Sequence, residues 1–197
     1  ISRRFKKKIS INKINSLSKS QKKKVKLDLK IVTSKKKLFA NLNFRKIPNI
    51  MGVLNLTPDS FSDGGRFNSR KKGITHAVEM FKSGAHIIDI GGESTRPGSH
   101  AINTKLEWNR IKKILKYVCK KIPVSLDTRK SEIMRKGIKQ GVKIINDVSG
   151  LSYDNETVNV LKKNQIPFVI QHSQGTPDKM QNKPTYKNEI LDIYDFF

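Results

Sequence analysis

The chain has 197 residues, enough for one domain, and its single cysteine, Cys119, excludes an internal disulfide. No apolar run approaches the roughly 18 residues that a membrane span needs. The formal charge of +25 is uneven, because residues 1–46 carry 17 Lys/Arg and one acid, whereas residues 47–197 carry 24 Lys/Arg and 15 acids. We therefore predict a basic arm over residues 1–46 and a domain over residues 47–197, whose remaining positive charge would suit an anionic ligand such as a diphosphate.

Clustered lysines predict that residues 1–37 form a disordered or linker-like segment. A solvated linker is the first interpretation. A remnant of an organelle-targeting peptide is the second, although such peptides favour arginine over lysine. A nucleic-acid-binding arm is the least favoured, because no aromatic residues are interleaved with the charge. Weak alternation over residues 38–44 predicts a short strand or hairpin ahead of the domain.

From residue 50 onward, short apolar runs alternate with amphipathic stretches. The apolar runs predict strands at residues 51–55, 86–90, 123–126, 142–145 and 167–171. The amphipathic stretches predict helices at residues 70–83, 105–120, 130–140 and 156–164, and a further helix beginning near residue 186. This alternation predicts an α/β fold with right-handed βαβ units and a parallel sheet.

A polar side chain lies at the end of, or directly after, each predicted strand: Asn55, Asp89, Asp127, Asn146 and His172. A (β/α)8 (TIM) barrel carries its site on the carboxyl ends of all its strands, whereas a doubly wound sheet has one switch point. The pattern therefore favours the barrel. Five predicted strands are fewer than eight, so we expect only about the first five βα units of a barrel here, that is, a fragment.

Three of these polar residues have both structural and functional interpretations. Asn55 could end a strand and cap a turn, or offer an oxygen to a hard metal ion such as Mg²⁺. Asp127 could cap the next helix, or accept two parallel N–H bonds from a planar ligand edge. Asn146 could bond to nearby backbone, or match the mixed edge of a heterocycle. For His172 we favour a structural role.

Two loops combine flexibility with reactive side chains. Residues 57–65 form a polar loop with a Gly-Gly tip, and residues 91–98 combine two glycines with a hydroxyl and a guanidinium. Such loops suit a mobile lid, although an ordinary βα loop is the simpler interpretation of either one alone. No GxxxxGK[ST] phosphate loop is present in the sequence.

Taken together, five segments closely resemble the dihydropteroate synthase family. Residues 51–65 (MGVLNLTPDSFSDGG) resemble its first signature, and residues 88–98 (IDIGGESTRPG) resemble its second. Residues 125–128, 145–150 and 171–177 follow in the family's order. One departure is Gln171-His172-Ser173, where the family usually has Met-His-Met.

The resemblance implies an alkyl-transferring enzyme of folate biosynthesis and a target of sulfonamides. It would condense 6-hydroxymethyl-7,8-dihydropterin diphosphate with p-aminobenzoate, giving 7,8-dihydropteroate and diphosphate. Diphosphate would leave first, and the arylamine would attack the resulting pterin methylene cation. The family's last three strands supply further pterin and diphosphate ligands, so we expect the 197 residues alone to be inactive.

The resemblance also implies roles for individual residues. Asn55 would help to hold Mg²⁺ on the diphosphate, and Asp127 and Asn146 would bind the pterin. Two loops would close over the p-aminobenzoate site, and the residues concerned are Ser60, Phe61, Asp63, Thr95, Arg96 and Pro97. Within these loops, Asp63 and Arg96 are the predicted catalytic residues, and the other four are predicted to bind substrate.

The sequence leaves two alternative functions. A methyltetrahydrofolate-binding methyltransferase barrel would share Asp127 and Asn146 but would lack the loop at residues 57–65, which decides against it. A basic nucleic-acid-binding protein is the other alternative.

Family membership implies small-molecule substrates, a homodimer and a possible fusion to a pterin pyrophosphokinase domain, with neither a membrane nor a nucleic-acid partner. We expect a cytoplasmic protein, or a mitochondrial or plastid one if the arm is a targeting remnant.

Overall fold

The computed structural model describes residues 11–34, 39–40, 42, 48–57, 69–94, 99–175 and 183–197. The chain divides into two compact units, Ile1–Leu38 and Phe39–Phe197. No helix among the described residues is long and apolar enough to cross a membrane.

The first unit contains a 3₁₀ helix, Ile11–Ser16, followed by helix α1, Lys19–Thr33. Helix α1 begins with a capping box, in which Ser18 accepts from the Gln21 N–H at 3.4 Å and Gln21 Oε1 accepts from the Ser18 N–H at 3.3 Å. The prediction of disorder over residues 1–37 is therefore wrong for these helical residues, because capping and good helix formers outweigh lysine repulsion. That residues 1–46 act as a basic arm stays a prediction.

Of the hairpin predicted near residues 38–44, the structure describes one antiparallel bridge, between Phe39 and Leu42. Residues 38, 41 and 43–44 lie outside the described residues.

The second unit contains a sheet of five parallel strands in the order β1-β2-β3-β4-β5. The strands are β1 Met51–Asn55, β2 Ile87–Gly91, β3 Val124–Asp127, β4 Ile144–Asp147 and β5 Phe168–Ile170. The helices are α2 Ser69–Lys82, α3 Thr104–Val118, α4 Ser131–Gln140, α5 Thr157–Asn164 and α6 Glu189–Phe196. From residue 50 onward, each predicted strand and helix is present, with ends displaced by up to three residues.

One face of the sheet is covered by helices. Ile88, Ile90, Leu126 and Ile145 are fully buried on this face, in one core with side chains of α3 and α4. Helix α2 packs on α3, α3 on α4 and α4 on α5, so consecutive helices lie side by side along the sheet. Strands in sequence order under a single layer of helices have the arrangement of a (β/α)8 barrel, as predicted, and not that of a doubly wound sheet.

The opposite face of the sheet corresponds to the barrel interior. Met51, Val53 and Val169 lie on this face and are 45–53% exposed. The same face carries the polar side chains at the carboxyl ends of the strands. Candidate functional groups and incompletely covered apolar side chains therefore share one surface.

Candidate functional site

The residues at or near the carboxyl ends of the strands form one row across the sheet. Strand register pairs Asn55 with Gly91, Gly91 with Asp127, Asp127 with Asn146, and Asn146 with Val169. Residues paired in register project to the same face of a sheet. The row therefore brings together the three predicted site residues that the structure describes, although they are separated by up to 91 positions in sequence.

Gly91 leaves a gap in the middle of this row. A Cβ atom at Gly91 would lie 3.3 Å from Asp127 Oδ2 and 3.4 Å from Asn55 Oδ1. The two oxygens thus approach the same point above the glycine backbone. This convergence creates a small oxygen-lined site that a side chain at position 91 would fill.

Asp127 is a buried carboxyl group at the centre of the row, with 9% of its surface exposed. Burial, with smaller contributions from the nearby carboxylates of Asp89, Glu107, Asp147 and Glu93, raises the pKa of Asp127 from 3.8 to about 8. Asp127 Oδ1 has no hydrogen-bond partner among the described residues. A buried carboxyl group with a free oxygen and a raised pKa is the kind of group that binds a polar ligand or moves a proton.

Asn146 is held by a second buried acid, Asp89. Its Nδ2 donates to Asp89 Oδ2 at 3.1 Å, and Asp89 is 4% exposed. Burial raises the pKa of Asp89, and the side chains of Ser125 and Asn146 partly offset the increase. Asp89 Oδ1 has no partner among the described residues.

A buried charge network lies behind Asp127. Lys130 Nζ donates to Glu107 Oε2 at 2.6 Å and also to Glu93, while Arg129 Nη2 donates to Glu93 Oε1 at 2.6 Å. Thr128 Oγ1 donates to Glu107 Oε1 at 2.6 Å. All five residues are at most 7% exposed. Two cations therefore balance two carboxylates in an environment where an unpaired charge is very costly.

The network fixes the chain immediately after Asp127. Three consecutive residues, Thr128, Arg129 and Lys130, each bind one or both of the glutamates. Burial raises the pKa of Glu107, although the bonds from Lys130 and Thr128 partly offset the increase. The end of β3 is thus held in place by the segment after β2 and by α3.

The remaining predicted site residues cannot be located. Ser60, Phe61 and Asp63 belong to one loop, and Thr95, Arg96 and Pro97 to the other. All six lie outside the described residues.

His172 contacts aromatic residues rather than the row. Its Nε2 lies 3.1 Å from the Tyr186 hydroxyl, and its ring makes an edge contact with Phe196 at a centroid distance of 4.6 Å. These contacts agree with the structural role predicted for it.

Sequence reasoning assigned no role to Asp89, Glu93 or Glu107. The signal for Asp89 is an acid inside the apolar run of β2. The signal for Glu107 is its helical spacing, since it lies four residues before Ile111 on the buried face of α3. A charged group at a core position indicates that it has a buried partner, but sequence spacing does not show which residue that partner is.

The family model for pterin-binding enzymes matches residues 51–197. The chain belongs to the pterin-binding enzyme family. Dihydropteroate synthase of Synechocystis sp. is 41% identical over 150 residues, covering 75% of this chain and 52% of that protein. The Bacillus subtilis dihydropteroate synthase is 40% identical over 143 residues, covering 72% and 50%. The chain thus spans about half the length of these curated relatives.

Solved structures give the same assignment. A Clostridium difficile dihydropteroate synthase, determined in the presence of pteroic acid, aligns with a TM-score of 0.71 and 40% identity, covering 79% of this chain and 58% of that one. The Yersinia pestis dihydropteroate synthase, in complex with a sulfonamide drug, aligns at 0.69 and 35%, covering 79% and 59%. The Xanthomonas albilineans dihydropteroate synthase with 4-aminobenzoic acid aligns at 0.68 and 33%, covering 77% and 54%.

Proposed function

We propose that the protein containing this chain is a dihydropteroate synthase. It would join 6-hydroxymethyl-7,8-dihydropterin diphosphate to p-aminobenzoate, with release of diphosphate. The observation that carries the proposal is the row of Asn55, Asp127 and Asn146 on one face of the parallel sheet. The family match and relatives named for this activity support it.

Asp127 and Asn146 would bind the pterin. They are register neighbours on β3 and β4, so their side chains lie side by side on the same face. Donor groups of a bound pterin would stabilise the ionised form of Asp127, whose carboxylate then accepts two hydrogen bonds, and an amide both donates and accepts. Together they complement the mixed donor and acceptor edge of a pterin ring.

The two loops outside the described residues would complete the substrate site. Ser60, Phe61, Thr95 and Pro97 would contact p-aminobenzoate, and Asp63 and Arg96 would act at the reacting centre. The relatives with bound 4-aminobenzoic acid and a sulfonamide drug support an arylamine site in this fold. Sulfonamides would compete with p-aminobenzoate for it.

Asn55 would be the protein's ligand to Mg²⁺. Among the described residues no group of three His, Cys, Asp or Glu could hold a metal ion. A lone amide oxygen fits Mg²⁺ because this ion commonly takes one or two protein ligands and completes its shell with water and substrate phosphates. Bound there, Mg²⁺ would neutralise charge on the departing diphosphate.

The chemistry requires no covalent nucleophile on the protein. The bond between the pterin methylene carbon and the diphosphate oxygen breaks, and diphosphate carries away the electron pair. The arylamine nitrogen then bonds to that carbon and loses a proton. Asp127 and Asn146 would hold the pterin during both steps, so their contribution is orientation and enclosure.

The cellular setting belongs to the same proposal. We infer a cytoplasmic enzyme that works as a homodimer on small-molecule substrates, with residues 1–46 as a basic arm and residues 47–197 as the first part of the barrel. A pterin pyrophosphokinase domain on the same polypeptide would supply its diphosphate substrate. The alternative compartment is a mitochondrion or plastid.

Calorimetric titration of the full-length protein with the pterin diphosphate tests the proposal. Asp127→Ala should weaken binding by about 100-fold or more, since it removes up to two charge-assisted hydrogen bonds. Glu79→Ala removes an exposed carboxylate of helix α2 and serves as the matched control. Unchanged affinity in the Asp127 variant would contradict the assignment.

A second variant separates metal binding from pterin binding. Asn55→Ala should weaken binding of the pterin diphosphate only when Mg²⁺ is present, and should leave the affinity for a pterin without diphosphate unchanged. Equal losses for the two ligands would argue against Asn55 as the metal ligand.

A further inference from the structure

Asp89 lies under the candidate site without belonging to the row. It is two residues before Gly91 on β2, and alternate residues of a strand project to the same face. Its side chain therefore lies one layer below the gap that Gly91 leaves. The position is deeply buried, at 4% exposure.

The hydrogen bond from Asn146 to Asp89 crosses an intervening strand. Asp89 is on β2 and Asn146 on β4, so the 3.1 Å bond passes over β3. Ser125 on β3 is the register neighbour of Asp89, and its short side chain leaves room for this contact. A larger residue at position 125 would separate the two partners.

Asn146 bonds to Asp89 through its amide nitrogen, the only part of the amide from which an ionised carboxylate can accept. Asp89 therefore selects one of the two orientations of the Asn146 side chain. In that orientation the carbonyl oxygen of Asn146 is left for another partner, on the same face as Asp127.

We propose that Asp89 is a positioning residue that fixes the orientation of the Asn146 amide, so that Asn146 presents its oxygen to a donor group of the ligand. The inference rests on the proposed function, because it takes the ligand to be a pterin with ring N–H groups. It adds a specificity determinant to the site: a ligand with an acceptor at that position would be disfavoured.

The first test uses only the unliganded protein. In nitrogen-resolved NMR spectra of the full-length protein, the side-chain amide protons of Asn146 should exchange slowly with solvent. In Asp89→Leu, which has a similar size and no acceptor, exchange should be at least about tenfold faster, since the hydrogen bond is lost. Equal exchange rates would overturn the proposal whether or not the protein binds a pterin.

The second test is a double-mutant cycle on pterin affinity, read by calorimetry. Asp89→Leu should weaken binding by about 10- to 100-fold, the effect of disrupting one buried hydrogen-bonding group. In an Asn146→Ala background, Asp89→Leu should cause little further loss, because Asp89 acts through Asn146. Independent, multiplicative losses would show that Asp89 contacts the ligand itself and would overturn the positioning role.

Two further variants separate positioning from packing. Asp89→Asn keeps the size of the side chain but offers both a donor and an acceptor, so it should no longer select one orientation of Asn146, and its affinity should lie between those of wild type and Asp89→Leu. Wild-type affinity in Asp89→Asn would overturn the orientation argument. Ile144→Val trims a buried residue in the same layer and should leave affinity unchanged. Asp89→Ala replaces the leucine variant if that one does not fold.

A wild-type protein that binds no pterin would refute the proposed function. The amide-exchange result would still decide the role of Asp89.

Discussion

The raised pKa of Asp127 makes the stability of the protein depend on pH in an unusual direction. Burial raises this pKa from 3.8 to about 8, so the folded state binds the proton more tightly than the unfolded state does. Between pH 4 and pH 8 the folded protein then holds more protons, and its stability falls as the pH rises. In Asp127→Asn the asparagine side chain is uncharged at every pH, so this variant lacks the pH-dependent contribution to stability.

The size of the effect follows from the two pKa values. One pKa unit corresponds to about 1.36 kcal/mol, so the Asp127 contribution should fall by about 4 kcal/mol between pH 5 and pH 8. We therefore expect the unfolding free energy of Asp127→Asn, relative to that of wild type, to rise by about 4 kcal/mol from pH 5 to pH 8. Urea unfolding at several pH values, followed by circular dichroism, measures the difference.

Asp154→Asn is the control for this experiment. Burial alone would raise the pKa of Asp154, but backbone hydrogen bonds from Ser131 and Glu156 outweigh it and lower the pKa. Its contribution is therefore lost only below pH 4, and the difference between Asp154→Asn and wild type should be constant from pH 5 to pH 8. Parallel stability curves for Asp127→Asn and wild type would refute the reasoning about the buried carboxyl group.

Three further experiments test the packing of the second unit. Lys130→Met should cost about 3–5 kcal/mol of unfolding free energy because it leaves a buried carboxylate without its cation, and adding Glu107→Gln should recover part of that loss. Chemical denaturation of the single and double variants measures this, and a double variant no better than the single one would contradict a balanced network. Gly137→Ala should cost about 1–3 kcal/mol, because its Cβ would overlap the buried Leu126 Cδ2; an unchanged melting temperature would contradict this. Gly91→Ala should fold normally but weaken pterin binding, since its Cβ would lie 3.3 and 3.4 Å from two site oxygens; unchanged affinity would contradict the convergent site.

The strands and helices of the second unit were largely predictable because their apolar spacing matches their burial. The run of β2, for example, is buried at every position. The grouping of polar strand-end residues at one edge of the sheet was also predictable, because parallel strands all present their carboxyl ends there. Helix α1 does not follow from the lysine-rich composition, which is typical of a linker; its local signal is the capping box at Ser18 and Gln21.

The contacts that complete the site could not be predicted in the same way. Asn146 and Asp89 are 57 positions apart, and Lys130 and Glu93 are 37 apart. Such pairs depend on register and on which residues are small, as Gly91 and Ser125 show. Sequence spacing gives the periodicity of an element, but not which buried acid will meet which buried base.

The most direct test of the proposed activity is product formation by the full-length protein. It is incubated with 6-hydroxymethyl-7,8-dihydropterin diphosphate, p-aminobenzoate and Mg²⁺, and the products are identified by mass spectrometry. Wild type should form 7,8-dihydropteroate with one diphosphate released per product, and Asp127→Ala should form almost none. Folded wild-type protein that yields no dihydropteroate, or an Asp127→Ala variant as active as wild type, would contradict the account.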